Sequence, residues 1–410
     1  MLGKDGVLGE GKPRFRVEGC PSPKEFTLTW TVHCGLIPSM NAIQEKEIFD
    51  VISHFAIYGD LVSCKPLGNG HINNTYRSTF SQGGAQVRYT HQRINKDVFK
   101  QPDQVVANIS AVTDFLRDSY KKEGLEDISR RTLTLVPCKD GKLFHLDAQG
   151  NYWRTYLFVE NVTTYEILDS TTLAQQLGQT IGEFQNRLAS YNGPRLFDTI
   201  PRFHDMHLRY QQLDDALARD PVGRKASAQA ELDFLEANRQ RGMVLSDGLA
   251  SGKLREGITH NDTKLNNILF DEKTGEALCV IDLDTVMPGT VLFDTGDMIR
   301  TATNTAAEDE KDLSKVTFNF NVFRALIGGY YSKAGAFLSD YEKSLLAESG
   351  RAITQIMAVR MLTDYINGDV YYHTDYPEHN LVRARTQIAL MKSMDSQWDI
   401  ITAFIHDLKV

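Results

Sequence analysis

His260-Asn-Asp262-Thr-Lys264-Leu-Asn-Asn267-Ile-Leu-Phe270, a polar turn over 271–275, and then Leu278-Cys-Val-Ile281-Asp282-Leu-Asp284 form the stretch from which the rest of the chain is read. The spacing places a carboxylate (Asp262), a cation two residues on (Lys264) and a carboxamide five residues on (Asn267) before the apolar strand 268–270. A turn at 271–275, which ends in Gly275, reverses the chain, and the apolar run 278–281 returns antiparallel. Asp282 is thereby delivered beside Asn267. An amide oxygen and a carboxylate converging in this way suit Mg²⁺, a hard cation that takes one or two protein oxygens and completes its shell with phosphate and water.

Phosphoryl transfer asks a protein for positioning and charge neutralisation more than for covalent chemistry. In that reading Asp262 orients or accepts the proton of an attacking hydroxyl, and Lys264 offsets charge on a γ-phosphate. Asn267 and Asp282 hold the metal, and His260 braces the loop. Any one of these residues alone reads equally well as part of a solvated turn; the ordered set does not. His-x-Asp-x-Lys-x-x-Asn, followed fifteen residues later by Asp, resembles the catalytic loop and metal-binding Asp of protein kinases. Here the second Asp sits in Ile-Asp-Leu-Asp instead of Asp-Phe-Gly, and no Ala-Pro-Glu segment follows, which argues against a protein substrate.

The chain has 410 residues, long for one core, so two lobes are expected. An apolar content of 41%, a charged content of 24% and a net charge of −8 describe an ordinary globular protein without the clustered basic surface that nucleic acid requires. No apolar run is long enough to span a bilayer. The five cysteines, Cys20, Cys34, Cys64, Cys138 and Cys279, are scattered without a Cys-x-x-Cys pair. Neither a disulfide framework nor a zinc site is expected, and a reducing cytoplasm is the simplest setting. Oligomeric state is not written in the sequence. Residues 1–39 read as a loosely attached extension, with Asn41 capping a helix to about Phe55.

Residues 40–160 read as an antiparallel nucleotide-binding lobe. Strands are expected over Leu61 to Leu67, Thr75 to Phe80, Val87 to Ile94, Leu133 to Pro137, Lys142 to Asp147 and Tyr152 to Val159. Between the first two, Gly68, Asn69 and Gly70 would bring backbone amides close to phosphates, although a lone Gly-x-Gly is more often a plain turn. Arg93 ends the third strand where protein kinases carry Lys, and a helix over Pro102 to Leu116 follows, with Val105, Ile109, Val112 and Leu116 on one face. The helix offers Asp103 and no Glu to pair with Arg93. The backbone of 158–161, including Phe158, Glu160 and Asn161, is the expected adenine contact at the lobe boundary.

Residues 161–410 read as a helical lobe that the catalytic hairpin interrupts, giving an α+β, bilobal, protein-kinase-like fold. Helices are expected over Leu173 to Ala189, Asp205 to Asp220, Ala226 to Gln240, Phe318 to Lys333, Ser339 to Ile366 and Leu381 to Leu408. Beyond the catalytic hairpin and Gln92-Arg-Ile-Asn95, the chain carries Gly68-Asn-Gly-His-Ile-Asn-Asn-Thr-Tyr76, Gly296-Asp-Met-Ile-Arg300, 304–309 and 362–371. Together these segments resemble the N-acetylhexosamine 1-kinases, sugar-specific members of the aminoglycoside phosphotransferase and choline kinase superfamily. The resemblance implies transfer of the ATP γ-phosphate, with Mg²⁺, to the anomeric hydroxyl of N-acetylglucosamine or N-acetylgalactosamine. It makes Arg360, Tyr371 and Thr285 sugar contacts, with Asp284 sharing the electrostatic work of Asp282. Asp297 is expected to brace the catalytic loop and Arg300 to line the acceptor side.

Arg360 also stands out physically, as a cation in the apolar stretch 353–362 that needs either a structural acid such as Asp364 or Asp297, or a ligand. Two rival functions remain. A kinase for an amino-alcohol or aminoglycoside would want a ring of acids, for which Glu308-Asp309-Glu310 is the candidate, though such a run usually marks a solvated face. A silent nucleotide-binding scaffold has no physical reason to keep Asp262, Asn267 and Asp282 together.

Overall fold

The alternation between Leu61 and Ile94 folds into the antiparallel sheet it implies. In the computed structural model, which describes residues 42–67, 72–165, 168 and 170–408, helix α1 (Ala42–Ser53) precedes strands β1 (Asp60–Pro66), β2 (Asn74–Gln82) and β3 (Ala85–Arg93). Helices α2 (Pro102–Lys122) and α3 (Ile128–Arg131) and strands β4 (His145–Leu146) and β5 (Tyr152–Leu157) follow. The strand order is β1-β2-β3-β5-β4. The extension 1–39, the capping Asn41 and the glycine residues Gly68 and Gly70 with Asn69 lie outside the described residues.

Successive side chains leave a strand on opposite faces. One face of the sheet carries Phe80, Tyr89 and Trp153, buried against Ile48, Val51, Ile52 and Phe55 at α1. On the other face Gln92 stands opposite Thr75 and Arg154, and Thr90 stands opposite Arg77 and Tyr156. Tyr156 joins the main core with Val105 and Ile109 of α2. Pro102 starts α2, where its missing N–H costs nothing. The helix runs six residues past Leu116, because a solvated last turn with Arg117–Asp114 and Lys121–Asp118 pairs needs no apolar periodicity. The expected strand 133–137 is reduced to bridging contacts: Val136 N–H donates to the Thr155 carbonyl at 2.8 Å and Leu157 N–H to that of Thr134 at 2.9 Å. Of the expected strand 142–147, only β4 forms.

Below the sheet come β6 (Val162–Thr163), α4 (Thr171–Leu188), α5 (Met206–Arg219), α6 (Gln229–Ala237), α7 (Arg239–Gly242), α8 (Val244–Ala250) and β7 (Gly257–Thr259). The hairpin strands β8 (Ile268–Asp271) and β9 (Ala277–Val280) follow, then β10 (Met287–Gly289), α9 (Val291–Thr303), α10 (Phe320–Ala334), α11 (Asp340–Ser344), α12 (Leu346–Asn367), α13 (His379–Ser396) and α14 (Trp398–His406). This is the α+β architecture expected. Helix α9, like the shorter α3 and α8, is an element the periodicity does not show. Thr290 caps it, and it is buried on nearly every face, so no polar stripe marks its period. The expected helix 226–240 divides into a 3₁₀ turn, α6 and the first residues of α7. Among the described residues no helix is long and apolar enough to cross a membrane.

Helices α4 and α10 meet backbone to backbone through glycines. A Cβ on Gly178 would overlap the Leu326 carbonyl oxygen, and one on Gly182 would lie 2.7 Å from that of Tyr330. This contact positions the site, because Tyr330 of α10 donates to Gln185 Oε1 of α4 at 2.6 Å and Gln185 Nε2 donates to Asp294 of α9 at 2.8 Å. Gly178→Ala is expected to lower stability by about 1–3 kcal/mol, as overpacking of a dense core does. A denaturant titration of the two proteins checks it.

Candidate active site

The hairpin brings its polar residues together as the spacing requires. Ile268 pairs with Val280, and Ile281 N–H donates to the Asn267 carbonyl at 2.9 Å, which sets Asp282 next to Asn267. Asn267 Nδ2 donates to the Asp262 carbonyl at 2.8 Å and to Asp262 Oδ2 at 3.1 Å, leaving Oδ1 as its remaining polar atom. Lys264 Nζ stands 3.1 Å from Asp262 Oδ2. Enclosure by the cleft pushes the Asp262 carboxyl up, but Lys264, then His260 and the Asn267 amide, outweigh it and hold the group below the usual carboxylate range. Asp262 is thus a carboxylate, with its charge fixed beside a cation.

Asp282 has the opposite balance. It faces the open cleft, yet the surrounding walls and then the like charges of Asp284 and Asp262 push its carboxyl up to about 6. Its backbone is left-handed, with φ of 59°, an unfavourable state for a residue with a Cβ and a mark of an imposed geometry. A carboxylate crowded by other carboxylates gains from a cation. Among the described residues no group of three or more His, Cys, Asp or Glu could cage a metal. A cation held by Asp282 and Asn267 Oδ1 would therefore draw most of its shell from phosphate and water, and the donor set fits Mg²⁺.

The loop is held from below. His260 Nδ1 accepts from Asp262 N–H at 3.2 Å, so Nε2 carries the proton and donates to the Ile281 carbonyl at 2.8 Å. The N–H groups of His260 and Asn261 donate to Asp294 at 3.0 and 2.7 Å, and Thr263 Oγ1 donates to the Asp294 carbonyl at 2.6 Å. The brace expected of Asp297 is therefore supplied by Asp294, one helical turn earlier. Asp297 instead accepts Arg300 Nε and Nη2 on Oδ1, at 3.0 and 2.8 Å, and its buried Oδ2 has no partner. Arg300 lies between acids, with Nη1 3.2 Å from Glu308. Glu308 also lies 3.9 Å from Arg383 and Asp309 3.3 Å from His379 of α13, while both carboxylates stay exposed, so this acidic run is a solvated face that also borders α13.

Two further expectations change because side chains are spent inside the protein. Thr285 donates to the His260 carbonyl at 2.7 Å and is buried, so its hydroxyl supports the loop instead of facing a sugar. Asp284 is buried and accepts Asn73 Nδ2 at 2.6 Å on one oxygen and Arg154 on the other. Arg93 is corrected as well: it is exposed on the α1 face of the sheet and bonds Asn74 Oδ1 at 3.0 and 2.6 Å. Asp103 is exposed and takes no part. At the expected adenine contact the carbonyls of Glu160 and Asn161 accept Arg130 at 3.1 and 3.0 Å. Glu160 pairs with Arg88, while the Phe158 ring lies against the Arg77 and Arg88 guanidinium groups.

A cavity of about 540 Å³ is lined among others by Phe203, Arg209, Arg360, Tyr371 and Tyr372. His204 links it to the catalytic loop, since its Nε2 lies 3.3 Å from the Asn261 carbonyl and its ring packs on Phe203. The Arg360 guanidinium stands over Phe203, Tyr372 and Tyr371 at 4.9, 5.6 and 6.0 Å from the ring centres. Neither expected acid serves it. Asp364 is occupied by the amides of Val370, Tyr371 and Tyr372 and by Asn380, and Asp297 by Arg300.

Residues 63–316 match the model of the APH phosphotransferase enzyme family. The chain belongs to that phosphotransferase family. Its fold is shared with solved structures at low identity. The microcompartment-associated aminopropanol kinase has a TM-score of 0.52 and 18% identity over 86% of this chain and 98% of that one. Amicoumacin kinase hAmiN, solved with AMP-PNP and Ca²⁺, gives 0.53 and 12% over 84% and 93%. Choline kinase from Cryptosporidium parvum Iowa II gives 0.51 and 14% over 88% and 99%. These likenesses carry the protein-kinase-like fold and no more. As a phosphotransferase, the chain has two site residues that sequence reasoning missed: Asp294, hidden in a helix without periodicity, and Arg154, whose signal was a charge among the aromatic residues of a central strand.

Proposed function

We propose that the protein transfers the γ-phosphoryl group of ATP, with Mg²⁺, to the anomeric hydroxyl of an N-acetylhexosamine. Asp262, fixed as a carboxylate by Lys264 at 3.1 Å and Asn267 at 3.1 Å, is the observation that carries the reading. It would orient the acceptor hydroxyl and take its proton as the bond to phosphorus forms. Lys264 offsets charge on the transferred group, and the loop amides tied to Asp294 keep Asp262 in place. Bound at Asp282 and Asn267, Mg²⁺ would neutralise the phosphate charge that develops during transfer.

The acceptor cavity favours a neutral, polar substrate over a cationic one. Arg360 and Arg209 both line it, and burial followed by the charge of Arg360 lowers the Arg209 guanidinium to about 10. Asp97 and Asp215 lie exposed among its lining residues, Asp364 is saturated by backbone amides, and Glu308 is paired with Arg300. An amino-alcohol or aminoglycoside would meet Arg209, Arg219, Arg360 and Lys100, which outnumber the exposed acids Asp97 and Asp215. Pyranose hydroxyls and an acetamido carbonyl would find donors and aromatic faces. With a panel of acceptors, ATP and Mg²⁺, N-acetylglucosamine or N-acetylgalactosamine should be consumed and choline and aminoglycosides should not. The product should release phosphate in mild acid, as an anomeric ester does; an acid-stable product, or turnover of the cationic acceptors alone, would refute the sugar assignment.

A further inference from the structure

The arginine on the sheet face that meets the catalytic hairpin comes from β5, not from the end of β3. Adjacent residues of a strand face opposite ways, so Gln92 and Arg93 cannot both reach the cleft. The register puts Gln92 on the cleft face opposite Arg154, while Arg93 stands opposite Trp153, which is buried against α1.

Arg154 is 1% exposed, and three of its contacts define where it points. Nε and Nη2 hold Gln92 Oε1 at 3.0 and 2.8 Å, and Nη2 also bonds Asp284. Asp284 in turn holds Asn73, the second described residue after 68–71, and Asn73 Oδ1 accepts Asn95 N–H at 3.0 Å. The guanidinium therefore sits where three pieces meet: the end of the β1–β2 connection, the cleft face of the sheet, and the strand end carrying Asp282. Its Nη1 is buried with no hydrogen-bond partner. An unsatisfied guanidinium N–H in such a place is costly and calls for a bound group, ion or water to complete it. Guanidinium is also the group best matched to phosphate oxygens.

We propose that Arg154 is the phosphate-binding cation of the nucleotide site, with Nη1 donating to a non-bridging phosphate oxygen while Nη2 stays on Asp284. The inference rests on the nucleoside triphosphate reading above and deepens it. It accounts for the lack of an acidic partner on α2, because the counter-charge of this cation lies on the catalytic hairpin itself. Phosphate, Arg154 and Asp284 then form one chain of charge ending beside Asp282.

Full-length wild type, Arg154→Gln, Arg154→Lys and Arg93→Gln would be titrated with MgATP and, separately, with adenosine, without acceptor. Arg154→Gln should weaken MgATP about 10- to 100-fold while leaving adenosine within about twofold, and Arg93→Gln should bind both as wild type does. Arg154→Lys keeps the charge but cannot serve Gln92, Asp284 and phosphate together, so its ratio of ATP to adenosine affinity should also fall. If Arg154→Gln does not fold, that ratio in Arg154→Lys decides. Equal losses for ATP and adenosine would make Arg154 purely structural, and unchanged ATP binding, or a loss confined to Arg93→Gln, would overturn the assignment. Failure of the wild type to bind MgATP would instead refute the kinase reading, whatever the arginine does.

Discussion

Asp262→Asn is expected to lower kcat by about 10²- to 10⁴-fold, the usual worth of a positioned general base, with the affinity for MgATP changing by no more than about threefold. The separation of the two effects follows from the surroundings of the side chain. The carboxamide has the size of the carboxylate and can still accept from Lys264 and Asn267 through its oxygen, so the loop keeps its shape. What disappears is the site that takes the acceptor proton. Nucleotide affinity is carried by other groups: Asp282 loses a neighbouring like charge, which makes it no worse a ligand for a cation, and Lys264 remains. Steady-state turnover and a binding titration on the same preparation check it. Strong residual turnover would remove Asp262 from the base role. A parallel loss of nucleotide affinity would mean that its charge serves to assemble the site.

The parts of this site that local sequence determines were legible. The turn after β8 fixes an antiparallel return, and with the one-residue bulge between Leu269 and Phe270 that return sets Asp282 beside Asn267. Arg154 was not legible, because which of two neighbouring strand residues faces the cleft depends on register, and a slip of one residue exchanges the faces. Asp294 was hidden for a related reason. It and Asp297 lie three residues apart on α9, and the helix is buried on nearly all sides, so no apolar stripe reports its rotation. Only its packing against α12 and α4 decides which carboxylate meets the loop. Arg360 lies between these cases: the sequence showed a cation in apolar surroundings, and the structure added that both nearby acids are taken.

Asp294→Ala is expected to cost stability as well as rate. The carboxylate is fully buried and accepts three donors, from His260 N–H, Asn261 N–H and Gln185 Nε2. Each buried donor left unpaired costs about 1–3 kcal/mol, so the loss should be at least about 3 kcal/mol. Asp294→Asn should also destabilise, because either orientation of the amide turns its NH₂ toward an N–H donor. The same loss reaches catalysis, since Asn261 is held at a φ of 67° next to Asp262, a strained state that a released loop would leave. Asp297→Asn is the informative contrast. Its Oδ1 serves Arg300 and its Oδ2 has no partner, so a carboxamide can keep the first contact and place its NH₂ at the second without meeting a donor. Denaturant midpoints should therefore fall sharply for both changes at position 294 and much less for Asp297→Asn, with kcat falling in both position 294 variants. The reverse order of stabilities would return the bracing role to Asp297 and detach the loop from the chain of contacts through Gln185 and Tyr330.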